Sequence, residues 1–225
     1  MTRVHDMGGR YGDGSVQPER EDGAVFTDDW HGRALALTLA CGALGKWNID
    51  ISRHARERLS PKDYSRFSYY EKWIAGLADL LVETDLLSEA DLKTPDDIEA
   101  CPPADQRLEA GDVASVLARG APADRQTNIA PGFEVGQRVR TISRAGNRMV
   151  DGGHTRLPAY AQGATGQILR MHGTHVFPDS SAHRLGEAPE PLYAVVFPAS
   201  ELWVYPENPA DEVVLDLWQS YLVKA

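Results

Sequence analysis

The sequence predicts an α+β protein, with an all-α N-terminal domain followed by a small β-barrel. Three observations support this: helical periodicity through the first hundred residues, a proline-rich acidic stretch after them, and short alternating segments beyond. We therefore divide the chain into an extended arm plus helical domain over 1–100, an acidic linker over 101–130, and the barrel over 131–225.

Helix signals begin at Asp28 and recur along the N-terminal part. An apolar run from Ala34 to Leu44 is followed by Gly45, a typical helix stop. Capping patterns predict further helix starts. They are Asp50, Ser60 before Pro61, Ser68 with Glu71 three residues on, and Ser88. Four or five helices are expected before residue 100.

The remaining segments have other compositions. Residues 1–23 contain five glycines and few large apolar groups, so this arm cannot bury itself. Residues 94–131 carry five prolines, and seven acidic residues against three arginines, as in a linker. After Gly132 the period becomes that of strands, which we predict over 133–140, 165–171, 192–197 and 213–217.

Composition excludes several classes of protein. Aspartate and glutamate total 33 against 23 lysines and arginines, a net charge of -10 that disfavours binding to nucleic acid. No apolar run reaches the ~18–20 residues of a membrane span, and the N-terminus lacks the apolar core of a signal peptide. Cys41 and Cys101 form no CxxC pair. We expect a cytoplasmic protein.

No self-sufficient catalytic centre is indicated. The histidines form no HExxH pair, and His172 and His175 fall in a predicted hairpin rather than on a helix. There is no GxSxG elbow, and Cys41 lies in an apolar helix, where a small core residue is expected. We expect this chain to bind no metal or other cofactor.

Two arginines and an aromatic pair are candidate functional residues. Arg53 lies about 200° around the helix from Ile51, so it faces away from that helix's apolar stripe. It is either a solvated arginine paired with Glu57 or a residue directed at a partner. Arg156 lies in a glycine-rich loop, which either presents that side chain or simply connects two strands. Tyr69 and Trp73, one helical turn apart, fit a core stripe or an apolar pocket.

These residues belong to a set of motifs that occurs in order along the chain. They are the segments His5–Gly9, Asp50–Arg58, Tyr69–Glu71, Gly153–Tyr160, Phe177–His183, Glu201–Trp203 and Asp216–Leu222. In these motifs the sequence resembles the β subunit of nitrile hydratase, and the similarity is interrupted mainly in the proline-rich bridge.

The resemblance implies that the C-terminal domain is an SH3-like barrel and that the chain needs an α subunit, in an αβ heterodimer that assembles further to α2β2. In this family the α subunit holds Fe(III) or Co(III) in a cysteine cluster with one sulfinate and one sulfenate. The joint enzyme adds water to a small nitrile and releases an amide.

The resemblance also implies roles for individual residues. Arg53 and Arg156 match the arginines that hydrogen-bond the oxidised cysteines of the α subunit. The positions that border the substrate fall on Tyr69, Trp73, Ile49, Thr38 and Ser52. Thr38 and Ser52 are polar where the family usually has large apolar residues, which implies a roomier or more polar pocket. Residues 161–164 replace a stretch that is usually basic.

Three alternatives belong to other classes of protein. Small metal-delivering activators resemble part of this subunit, but they lack the barrel. Thiocyanate hydrolase has subunits that look like separate halves of this chain. A nucleic-acid module is disfavoured by the residues beyond 131, of which eight are basic and ten acidic.

Overall fold

The computed structural model describes residues 4–6, 18, 20–94, 106–143 and 146–225. The contacts divide the chain into two compact units. One unit is Tyr11–Ala121, and the other is Pro122–Ala225 together with Met1–Arg10.

The first unit is helical, as predicted. Its helices are α1 (Asp29–Ala43), α2 (Ile49–Glu57), α3 (Pro61–Arg66), α4 (Tyr69–Glu83), α5 (Glu89–Lys93) and α6 (Val113–Arg119). The last of these lies within the predicted linker, and 101–105 lie outside the described residues. Within the described part of the chain, no helix is long and apolar enough to cross a membrane.

Capping side chains mark several of the helix starts. Ser60 accepts a hydrogen bond at 3.1 Å from the backbone N–H of Asp63, and Glu71 accepts one at 2.7 Å from the N–H of Ser68. Gly45, at φ +70°, follows the end of α1. These starts and this stop are confirmed.

The prediction that Asp50 caps α2 is wrong. The cap is Asn48, whose side-chain oxygen accepts hydrogen bonds from the N–H groups of Asp50 at 3.0 Å and Ile51 at 2.9 Å. Asp50 instead lies in the first turn, where its carboxylate is favourably placed near the positive end of the helix dipole.

Close contact between α2 and α4 organises this unit. Ala55, Leu77 and Leu80 are buried. At Gly76 of α4, a Cβ atom would lie only 2.8 Å from Cγ of Arg56 and 3.2 Å from its backbone nitrogen. The absence of a side chain at this glycine therefore permits the approach of the two helices.

The second unit contains a five-stranded antiparallel sheet. In chain order its elements are β1 (Arg138–Thr141), β2 (Thr165–His175), α7 (Pro178–Ser181), β3 (Glu190–Pro198), α8 (Ala199–Leu202), β4 (Glu212–Trp218) and β5 (Leu222–Lys224). The order across the sheet is β4-β3-β2-β1-β5, so β4 and β5 are its edges and the sheet is not closed. Its core includes the fully buried Val139, Tyr193, Phe197, Leu217 and Tyr221.

Two details of the sheet differ from the prediction. The segment predicted as a strand over 133–140 is a strand only from Arg138, because the chain turns at Gly136, at φ +84°, where the N–H of Gln137 donates to the carbonyl of Glu134 at 3.0 Å. Strand β5 was not predicted, since its three residues are too few to establish an alternating pattern.

Candidate functional site

Arg53 is held by an ion pair within its own helix. Its Nη1 atom lies 3.2 Å from Oδ1 of Asp50, a residue that is only 6% exposed, while the Arg53 side chain keeps 44% of its surface exposed. The alternative of a pair with Glu57 is not formed: Arg53 pairs with Asp50, and the Glu57 carboxylate lies 3.5 Å from Nδ1 of His54. The side chain of Arg53 is therefore directed by Asp50 and remains partly open to solvent.

Three of the predicted pocket residues come together. Thr38, Ser52 and Trp73 line one narrow crevice in the helical unit, with about 10 Å³ of free volume, room for about one water molecule. The Thr38 hydroxyl donates to the carbonyl of Ala34 at 2.9 Å, so its polar group is already satisfied within α1.

Arg56 also lines this crevice and was not predicted from the sequence. Its guanidinium carbon lies 4.7 Å from the centre of the Trp73 ring. Its Nε donates to the Ser52 carbonyl at 3.1 Å, and its Nη2 to the Ser52 hydroxyl at 3.4 Å. The pKa of Arg56 is lowered from its usual value, mainly because the guanidinium is partly buried. The i,i+4 spacing of Ser52 and Arg56 was the available signal.

Tyr69 and Ile49 occupy more open positions. Both begin their helices, and they are 64% and 57% exposed. The Tyr69 ring lies 5.5 Å from that of Trp73, so it extends the aromatic surface outward from the crevice. Ile49 is not among the residues that line the crevice.

Arg156 belongs to the other unit, in the connection between β1 and β2. Its side chain is exposed, whereas its backbone N–H donates to Oη of Tyr221 at 3.1 Å. The hydroxyl of Thr155 reaches the same oxygen at 3.2 Å. Tyr221 in turn donates to Oδ1 of the buried Asp179. Tyr221 and Asp179 were not predicted as site residues, because nothing in a single sequence shows which tyrosine lies beneath a loop.

The segment around Arg156 is anchored on both sides. Before it, Nδ2 of Asn147 donates to the His154 carbonyl at 2.6 Å and to the Asp179 carbonyl at 2.7 Å. After it, the two carboxylate oxygens of Asp6 accept the N–H of Ala159 at 2.9 and 3.0 Å. The exposed arginine is thus carried on a fixed backbone.

The remaining candidates are two histidines and two cysteines. His172 and His175 are both in β2, and Nε2 of His172 lies 2.9 Å from Oδ1 of Asp216. Cys41, expected as a small core residue, lies in α1 with intermediate exposure. Cys101 and the Met7–Gly9 part of the N-terminal motif lie outside the described residues.

Comparison with known proteins covers both halves of the chain. The family model "Nitrile hydratase beta subunit, N-terminal" matches residues 1–116, and "Nitrile hydratase beta subunit, C-terminal" matches 122–224. The "Low-molecular weight cobalt-containing nitrile hydratase subunit beta" of Rhodococcus rhodochrous is 34% identical over 233 residues, covering 100% of both chains.

Two further relatives are also nitrile hydratase beta subunits and match over nearly their full length. The "Nitrile hydratase subunit beta" of Rhodococcus sp is 36% identical over 234 residues, covering 99% of this chain and 95% of its own. The "Cobalt-containing nitrile hydratase subunit beta" of Pseudonocardia thermophila is 32% identical over 231 residues, covering 99% and 96%. Since both halves match across the full length of such relatives, neither a part-length activator nor a thiocyanate hydrolase half-subunit is favoured. The chain belongs to the nitrile hydratase beta-subunit family.

Proposed function

We propose that this chain acts with a metal-bearing α subunit to add water to nitriles and release amides, and that it supplies the arginine donors and part of the pocket wall. The observation that carries the proposal is the match of both family models across the chain, together with relatives covered from end to end. The exposed arginines on fixed supports agree with it.

The metal, Fe(III) or Co(III), is assigned to the α subunit, and two of the relatives are named as cobalt-containing. When bound it supplies Lewis-acid chemistry to the nitrile or the attacking oxygen. The part assigned to this chain is to hold the anionic oxygens on the metal's cysteine ligands.

Arg53 and Arg156 have the chemistry for this role. A guanidinium presents a rigid fork of donors and stays protonated, so it can hold a buried oxyanion with charge-assisted hydrogen bonds. Arg53 is directed by the buried Asp50 and still 44% exposed, and Arg156 is exposed on an anchored loop. Both can therefore offer donors to a partner.

The aromatic pair and the crevice form the proposed pocket wall. Trp73, backed by the Arg56 guanidinium, borders Thr38 and Ser52, and Tyr69 extends this surface outward. We propose that Ile49, exposed at the start of α2, contacts the substrate when the partner covers this face. The two hydroxyls favour a more polar pocket than the family's usual apolar lining.

We also propose that the five-stranded sheet curls into an SH3-like barrel. Its edge strands, β4 and β5, are joined by only three residues, Gln219–Tyr221. Five flat strands would separate the edges by about 19 Å, at about 4.8 Å per strand. The link reaches about 14 Å at most, and residues on both edges, Leu217 and Leu222, share one core.

We further assign the enzyme to the cytoplasm as an α2β2 assembly.

The test is nitrile-to-amide turnover by this chain co-expressed with an α-type subunit, in medium with iron or with cobalt. Amide formation that requires both chains is the expected result, on a panel of aliphatic and aromatic nitriles. The metal that supports turnover identifies the cofactor. A purified, metal-loaded complex that turns over none of the panel would contradict the proposal.

A further inference from the structure

Tyr221 lies at the centre of a buried hydrogen-bond network beneath the Arg156 loop. The residue is 1% exposed and belongs to the short link between β4 and β5. Its oxygen accepts hydrogen bonds from the Arg156 backbone N–H at 3.1 Å and from the Thr155 hydroxyl at 3.2 Å. Its own proton is donated to Asp179. Every hydrogen-bonding site of the phenol is therefore used.

Asp179 fixes the direction in which this phenol donates. Asp179 is fully buried, and its Oδ1 accepts the hydrogen bond that the Tyr221 hydroxyl donates. Burial, with the adjacent Asp179 charge, raises the pKa of Tyr221, so the phenol keeps its proton. Because the Tyr221 hydroxyl donates its proton to the Asp179 carboxylate, the lone pairs of the phenolic oxygen accept the hydrogen bonds from Thr155 and Arg156. The arrangement holds one backbone N–H in one position.

The two sides of the loop have supports of their own. Asn147 ties the His154 carbonyl to that of Asp179, and Asp6 accepts the N–H of Ala159. Arg156 lies between these two supports, and its backbone N–H is held by the hydroxyl of Tyr221. No described carboxylate forms an ion pair with the Arg156 guanidinium, so the backbone anchor determines where that side chain starts.

We propose that Tyr221 is a positioning residue for the reaction, because its hydroxyl aligns Arg156 toward the oxidised cysteine oxygens of the α subunit. The inference rests on the role proposed above for Arg156. A guanidinium acts on an oxyanion only at hydrogen-bond distance, and a shift on the order of 1 Å in a positioning group can cost about a hundredfold in rate. Loss of the hydroxyl is expected to permit such a shift.

The test compares Tyr221→Phe with Tyr193→Phe in the assembled, metal-loaded complex. Phenylalanine at 221 keeps the ring contacts with Phe177 and Trp218, at 5.6 and 6.3 Å between centroids. Tyr221→Phe is expected to lower kcat about tenfold or more with little change in KM. Tyr193 is the matched control because its buried phenol also accepts a backbone N–H, that of Gly132 at 3.1 Å, away from the loop. Its kcat should stay within about twofold.

A second measurement does not depend on activity. In the free full-length chain, Tyr221→Phe should speed amide hydrogen exchange in residues 154–159, and Tyr193→Phe should leave that segment unchanged. Unchanged exchange and turnover in Tyr221→Phe would overturn the proposal. Equal loss of turnover in the two variants would also overturn it, since the effect would then be structural.

Further variants separate this inference from the proposed function. If Arg156→Lys keeps full turnover, Arg156 does not have the proposed role, and the positioning role of Tyr221 is overturned as well. Arg156→Lys that loses turnover while Tyr221→Phe keeps it would overturn only the positioning role. If Tyr221→Phe does not assemble, Thr155→Val and Thr155→Ser decide: serine keeps the hydroxyl and should retain activity, valine should not, and equal activities would overturn the proposal.

Discussion

At the scale of single residues, the two proposed arginines differ from Arg58 in what holds them. Arg53 is directed by a buried carboxylate three residues earlier, and Arg156 by hydrogen bonds to its backbone. Arg58 instead pairs with Glu83 at 2.5 Å, with both side chains substantially exposed. Exposed pairs of that kind contribute little to stability. The structure therefore provides two test positions and one matched control.

Arg53→Lys and Arg156→Lys are each expected to lose most turnover in a complex that still assembles. Lysine keeps the charge but replaces the rigid fork by a single ammonium, which cannot hold an oxyanion in bidentate fashion. Steady-state kinetics on the co-expressed enzyme check this. Arg58→Lys is the control and should behave like the unmodified enzyme. Near-normal turnover in both test variants would contradict the assignment.

Residue-level prediction succeeded where the signal is local and failed where it depends on a neighbour in space. Ser60 and the Ser68–Glu71 pair could be identified from sequence because a cap and its partners lie within three residues. Asp50 and Asn48 are both good caps two residues apart, and only the start of α2 at Ile49 distinguishes them. Arg56 was missed because its contact with Trp73 joins two helices.

At the scale of elements, the approach of α2 to α4 depends on Gly76. Gly76→Ala would place a Cβ atom 2.8 Å from the Arg56 side chain, which must shift together with its contacts to Trp73 and Ser52. Overpacking of this kind costs about 1–3 kcal/mol. We expect urea unfolding of the full chain to show a lower free energy of unfolding by about that amount.

Gly42→Ala in α1 is the matched control for this prediction. It replaces another helical glycine by alanine, but nothing lies within 4 Å of the added Cβ atom. Alanine favours the helix by up to about 1 kcal/mol, so the control should be neutral or stabilising. If Gly76→Ala were as stable as Gly42→Ala, close helix contact would not be the reason for the glycine at 76.

Long elements were predictable from their periodicity, whereas short ones were predictable only where a capping pattern marks the start, as Ser60 does for α3 and Ser88 for α5. Helices α1, α2 and α4 and strands β2, β3 and β4 have enough residues to display a period of 3.6 or 2. The alternation over 133–140 was misleading, because a turn at Gly136 interrupts it and no strand residues precede Arg138. The three residues of β5 became a strand through pairing with β1, a contact that sequence periodicity does not contain.

At the scale of the whole molecule, the proposed functional residues are divided between two units. Arg53 and Trp73 belong to the helical unit, and Arg156 to the unit with the sheet. The motif order along the chain predicted the family and the kinds of residue involved. What it could not supply is the partner surface that these side chains meet, because the oxyanion ligands are assigned to another chain.

Dependence on a partner predicts a thermodynamic linkage that can be measured on the intact chain. A partner that binds only the folded chain stabilises it by about 2.7 kcal/mol when its free concentration is about a hundred times Kd. For a chain of this size that corresponds to a rise in Tm of about 5–10 °C. Adding purified, metal-loaded α subunit should therefore raise the Tm followed by a probe on this chain.

Comparison of Arg156→Lys with Arg58→Lys tests whether the rise in Tm depends on Arg156. Arg156→Lys would leave a buried anion of the α subunit with fewer donors, and breaking such a pair costs several kcal/mol. The rise in Tm at a fixed α-subunit concentration should therefore be smaller for Arg156→Lys than for Arg58→Lys, while the Tm of the free chains stays alike. An α subunit that produces the same rise with both variants would show that Arg156 does not meet the partner's anionic oxygens. That result would leave family membership intact and would move the oxyanion contact to other residues.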